Sequence, residues 1–98
     1  MICSIKYTRG IDDYYLYFNC NSNNYEDCKK AFKNICHHIC ETQQIDKETY
    51  NPYTFISNNT KTIKNEMAKK GFKPISITEI AEFSDEDPLS ESFQYNDI

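Results

Sequence analysis

The side chains best able to do chemistry lie in Cys36-His37-His38-Ile39-Cys40, with Cys28 two helical turns earlier and Cys20 before that. Thiolate and imidazole are zinc ligands, and the i, i+4 spacing of Cys36 and Cys40 would put half of a tetrahedral site on one helix face. The other half has no source in the pattern, because the paired short spacings of a zinc module are absent from the sequence. Cys28 and Cys36 also share a stripe with Phe32 and Ile39, so they read as small apolar core residues, with no metal and no cofactor expected. Histidine is a general base as well, and with cysteine it can form a nucleophilic pair. Successive helical residues diverge by about 100°, so Cys36 and His37 do not face each other, whereas His37 and Cys40 can. With only two glycines, Gly10 and Gly71, there is no glycine-rich phosphate loop, and nothing supplies an oxyanion hole. No catalytic residue is assigned; the enzyme alternative is a His-dependent ribonuclease of toxin type using His37 and His38.

These residues need a helix to position them, and residues 23–43 carry the clearest helical period of the chain. Tyr25, Cys28, Phe32, Ile35, Cys36 and Ile39 form one apolar stripe, opposite Glu26, Asp27, Lys29, Lys30, Lys33, Asn34, His37 and Glu41. Asn23 and Glu26 have the spacing of a reciprocal cap, and no glycine ends the helix. Before it, residues 2–8 alternate as a half-buried strand, residues 9–13 turn, and the aromatic run 14–20 makes the second strand of a hairpin.

The pattern weakens after the helix. Residues 46–49 are compatible with one helical turn, and Asn51-Pro52 forces an extended residue that opens a short strand over 53–56. Asn58-Asn59 is expected to turn the chain into a second, shorter helix over 60–70, closed by Gly71. Residues 72–83 read as a further strand with Pro74 near its start. The expected fold is α+β: a small antiparallel sheet of three to four strands with an N-terminal hairpin, packed on one long amphipathic helix beside a second, shorter one. Residues 1–83 form the globular domain and 84–98 an acidic, flexible tail.

A chain of 98 residues fits one domain, and its fourteen aromatics, eight Tyr and six Phe, give a small core enough buried area. Five cysteines without a secretory leader point to reduced thiols. No apolar run approaches the roughly 20 residues a membrane span needs. The expectation is a protein of a reducing bacterial cytoplasm with no membrane partner. Richness in Asn, Ile, Lys and Tyr matches the coding of a low-GC bacterium or its phages.

Charge is split along the chain. All eleven basic residues lie at or before Lys73 with eight acidic ones, a net +3, while the seven acidic residues beyond Thr78 stand alone, a net −7. Glu79, Glu82, Asp85, Glu86, Asp87, Glu91 and Asp97 interleave with Phe83, Leu89, Phe93 and Tyr95. Such a strip can take phosphate sites in a basic groove, with aromatics adding buried area. Tyrosines of the second strand, Tyr15 and Tyr17 together with Tyr14, are candidates to extend it. The expected contact set is therefore Glu79, Glu82, Asp85, Glu86, Asp87, Glu91, Phe93, Tyr95, Tyr15 and Tyr17. The alternative is a nucleic-acid module in which Lys29, Lys30, Lys33, Lys61, Lys64, Lys69, Lys70 and Lys73 meet phosphates. Scarce arginine and the interspersed Glu26, Asp27, Glu41 and Glu66 weigh against direct nucleic-acid binding.

In size and charge the chain resembles small phage-encoded inhibitors of host nucleases, including anti-CRISPR proteins. That resemblance implies a non-enzymatic, DNA-mimicking inhibitor whose partner is a larger host protein with a basic groove, such as a nuclease complex.

Overall fold

A computed structural model gives the fold, and it describes residues 1–46, 50–76 and 90–94. The chain is α+β: β1 (Ile2–Arg9) and β2 (Asp12–Asn19) form a hairpin, α1 (Tyr25–Thr42) and α2 (Pro52–Lys69) follow, and β3 (Ser90–Gln94) comes last. No helix among the described residues is long and apolar enough to cross a membrane.

The hairpin is antiparallel, with Arg9 paired to Asp12 across the two-residue turn Gly10-Ile11. Gly10, at φ 61°, supplies the left-handed first position of a type II′ turn, where a side chain would be strained. The period-two alternation sends Cys3, Ile5 and Tyr7 of β1, with their partners Phe18, Leu16 and Tyr14, to one face. Cys3, Ile5, Leu16 and Phe18 are buried there.

Two expectations about the sheet are corrected. β3 pairs with β1 in parallel, from Ile2 with Ser90 to Lys6 with Gln94, so the order is β2-β1-β3 and the sheet is mixed. It also lies within the stretch read as a tail. Ser-Glu-Ser-Phe-Gln has too little apolar content to announce a strand; ladder hydrogen bonds to β1 define it. Of the strand expected over residues 72–83, Pro74 bridges to Phe18, flanked by Asn19 N–H donating to Lys73 C=O at 2.8 Å and Ile75 N–H to Tyr17 C=O at 2.9 Å. Residues 77–83 of that strand, and 47–49 of the expected helical turn, lie outside the described residues.

α1 has the expected face, with Cys28, Ala31, Phe32, Ile35, Cys36, Ile39 and Cys40 buried. Its cap differs. The chain enters through a 3-10 turn, Ser22–Asn24, and Asn24 rather than Asn23 is the N-cap. The Asn24 side chain accepts from the Asn21 backbone N–H, so the asparagine run satisfies its own backbone.

The second helix is not short and does not begin at Thr60. It is as long as α1, 18 residues each, and it includes the segment 53–56 expected as a strand. Asn51 is extended, as a residue before proline must be, but it serves as N-cap: its side chain accepts from Thr54 N–H at 3.1 Å and Pro52 follows at the first helical position. Phe55, Ile56, Ile63 and Met67 face the core, and Asn59 lies among them.

Both helices end in the same device. Phe72 N–H reaches Met67 C=O and Gly71 N–H reaches Ala68 C=O, each at 3.0 Å, with Gly71 at φ 93°. At the end of α1, Ile45 N–H reaches Cys40 C=O at 2.9 Å and Gln44 N–H reaches Glu41 C=O at 3.3 Å, with Gln44 in the left-handed position, φ 55°. In each case the next residue, Phe72 or Ile45, packs onto the core. The two helices therefore cover one sheet face. Phe18 of β2 and Phe32 of α1 meet at its centre with ring centroids 6.4 Å apart.

Candidate contact surface on the hairpin

Leu16 and Phe18 fix β2 to the core, so alternation sends Tyr15 and Tyr17 to the face away from the helices. Their rings stack, centroids 5.8 Å apart at 17°. Tyr15 is 42% exposed and Tyr17 half-buried. Burial, and then the neighbouring Tyr15, pushes the Tyr17 phenol above its ordinary value. Tyr17 is thus a neutral hydroxyl at physiological pH. A stacked tyrosine pair has few rotamers left to lose and offers both apolar area and hydrogen-bonding groups.

The hairpin adds residues that the sequence did not single out. Ile11, at the turn, is 99% exposed, and it and Tyr15 are the large hydrophobic side chains left exposed among the described residues. Asp12 and Asp13 beside it are exposed as well. The signal was available: a two-residue turn has no room to fold its second side chain inward, so an isoleucine there faces water. On the same face Ser4 of β1, directly across from Tyr17, and Ile2 beyond it are buried. The open part is the half toward the turn, with Tyr15, Asp13 and Ile11; Asp12, also exposed, falls by alternation with Tyr14 and Leu16 on the other side.

Tyr14 does not belong to it. It packs on the helix side, its ring 5.7 Å from Tyr7 and 4.8 Å from Tyr53, while the Arg9 guanidinium sits 5.2 Å above Tyr53. This cluster ties the hairpin to the first turn of α2. Burial foremost, then Tyr53 and Tyr14, raises the Tyr7 phenol.

Of the expected acidic strip, Glu91 and Phe93 occupy β3 at the register positions of Cys3 and Ile5. Those positions alternate with the ones opposite Tyr15 and Tyr17, so the backbone does not put the two sets on one face. Glu79, Glu82, Asp85, Glu86, Asp87 and Tyr95 lie outside the described residues. No family model, no curated protein and no solved structure matches the chain.

The Cys and His set separates. Cys36 and Cys40 are buried in the core, whereas His38 is exposed and His37 half-buried. Among the described residues no group of three or more His, Cys, Asp or Glu converges to hold a metal ion. His38 lines an open groove of about 570 Å³ between α1 and α2, with Ile35 and Ile39 behind it and Thr62, Glu66 and Lys70 across. At one end Gln43 Nε2 donates to Asn59 Oδ1 at 3.0 Å, and Asn59 Nδ2 donates to Phe55 C=O at 2.8 Å. The lysines of the alternative reading are spread over both helices and the segment after α2, where Lys70 and Lys73 lie. Lys30, Lys33, Lys61, Lys69, Lys70 and Lys73 are exposed, and Lys69 is paired with Glu66 at 3.0 Å.

Proposed function

We propose that this chain is a small non-enzymatic binding protein that acts by occupying a larger protein. Its anchor is the stacked pair Tyr15 and Tyr17, with Asp13 on the same face as a negative rim and the exposed Ile11 and Asp12 at the turn. The observation that carries the reading is the exposure of Ile11 and Tyr15 on one hairpin, when nearly every other large apolar side chain among the described residues is covered. Tyrosine anchors within a polar rim are how protein interfaces concentrate affinity. Asp12 and Asp13 favour a partner with basic groups.

The charge split extends the proposal. Glu79, Glu82, Asp85, Glu86 and Asp87 would give the partner a run of carboxylates in place of phosphates, which suits a host nuclease with a basic groove and an inhibitor of phage origin. On this reading the protein works in a bacterial cytoplasm. A salt titration of DNA and RNA binding tests it against the lysine alternative. The proposal expects no measurable affinity at low salt. Binding whose logarithm falls steeply with the logarithm of salt concentration would replace it with phosphate contact by the lysine helices.

A further inference from the structure

The groove between α1 and α2 lies on the helix side of the sheet, away from Tyr15 and Tyr17, and is a second surface in its own right. It exists because of what α2 places opposite α1. Asn59, Thr62 and Glu66 recur at i, i+3 and i+7 and form one wall; Asn34, His38 and Thr42, at i, i+4 and i+8 of α1, form the other. Ile35 and Ile39, each 7% exposed, are the apolar side chains of the lining. The short Asn59 and Thr62 do not fill the space in front of these isoleucines, and about 570 Å³ stays open.

The dimensions select the shape of an occupant. Gln43 Nε2 is held on the buried Asn59 Oδ1 at one end, and Lys70, eleven residues further along α2, marks the other. At 1.5 Å per residue that is a length of about 16 Å. The volume then leaves a mean section of about 35 Å². This is less than half the section of an α-helix about 10 Å across, so a helix does not seat in the groove. An extended peptide does, about five residues long at roughly 3.3 Å each.

The walls select its chemistry. A covered peptide backbone needs partners for its N–H and C=O groups. Asn34, His38 and Thr42 offer one polar side chain per turn of about 5.4 Å, against about 6.6 Å between equivalent groups of an extended peptide. Thr62 and the Gln43 amide add more, whereas a plain acyl chain would leave all of them unanswered. Charge fixes the direction. Glu66 is already engaged by Lys69 at 3.0 Å, while Lys70 Nζ has no carboxylate partner among the described residues. Lys70 stands at the end of the groove, in line with its axis, where a main-chain carboxylate arrives; a side-chain carboxylate leaves an extended peptide across that axis.

We propose that this groove binds the last residues of another polypeptide in extended form, its terminal carboxylate on Lys70 and an apolar side chain on Ile35 and Ile39. The test presents a randomised library of pentapeptides tethered at their amino ends, each made as the free C-terminal acid and as the C-terminal amide. The full chain is expected to hold a subset of acids rich in apolar residues, each at least about tenfold more tightly than its amide. Lys70→Gln brings the acids down to the level of the amides. Thr62→Trp, at an exposed position of the wall, fills the groove and abolishes both, while Tyr15→Ser/Tyr17→Ser on the hairpin changes neither. All variants are checked for fold by circular dichroism. No peptide held above the Thr62→Trp background, acids and amides held alike, acid binding that survives Lys70→Gln, or binding lost with the hairpin tyrosines would each overturn the proposal.

Discussion

Single residues hold testable parts of the fold. Gln44 holds a left-handed backbone that its neighbour in role, Gly71, adopts without strain. Replacing it, Gln44→Gly, should raise stability by about 1 kcal/mol, read as a higher urea midpoint at unchanged slope; an unmoved midpoint contradicts the assigned strain. Asn59 is the opposite case. Its amide is buried in a helix interior and satisfied on both sides, by Phe55 C=O and Gln43. Asn59→Ala should cost about 1–3 kcal/mol, because Gln43 loses its partner and a cavity opens. A cost near zero would show that water replaces the amide. Tyr7 gives a pH dependence. Its phenol is raised above the ordinary 10.0, so above that pH the unfolded chain releases the proton while the folded one retains it. The stability this contributes is complete below pH 10 and is lost as pH rises beyond it. Tyr7→Phe should therefore show a shallower loss of stability in alkaline titration.

At the scale of elements, legibility followed how cleanly each one kept its period. α1 could be read because six apolar residues recur at helical spacing, and the structure buries five of them, Cys28, Phe32, Ile35, Cys36 and Ile39, with Tyr25 half-buried and Ala31 and Cys40 added to the face. The hairpin could be read because Cys3, Ile5 and Tyr7 alternate and Gly10 sits where a two-residue turn needs it. α2 was misread at its start because Asn59 interrupts the apolar stripe, so Asn58-Asn59 looked like a turn and the β-prone 53–56 segment like a strand. Asn51-Pro52 carried the missing signal, an N-cap followed by proline at the first helical position. β3 had no comparable signal, since its pairing is a long-range event and its composition is polar. That Tyr15 and Tyr17 share the face of β2 opposite Leu16 and Phe18 was legible from alternation alone, whereas the exposure of Ile11 needed the turn type. The packing account predicts that Phe32→Ala, which empties the meeting point of α1 and the hairpin, costs about 3–5 kcal/mol in chemical denaturation. A cost below about 1 kcal/mol would mean that the sheet and α1 do not share one core.

For the whole molecule, the central matter is which surface meets a partner. The helices close one sheet face, while the other carries the stacked pair of exposed Tyr15 and half-buried Tyr17 with Asp13, and the turn leaves Ile11 and Asp12 in water. Six of the eleven basic residues are distributed over the two helices among acidic neighbours, and the acidic excess lies beyond Thr78. The most direct test is quantitative capture from a low-GC bacterial lysate by immobilised wild-type chain and by the double variant Tyr15→Ser/Tyr17→Ser, both shown by circular dichroism to be folded. The account predicts one stoichiometric protein partner, indifferent to nuclease treatment, whose recovery on the variant falls at least about tenfold. Equal recovery on both forms, or a partner that disappears when nucleic acid is digested, would contradict it.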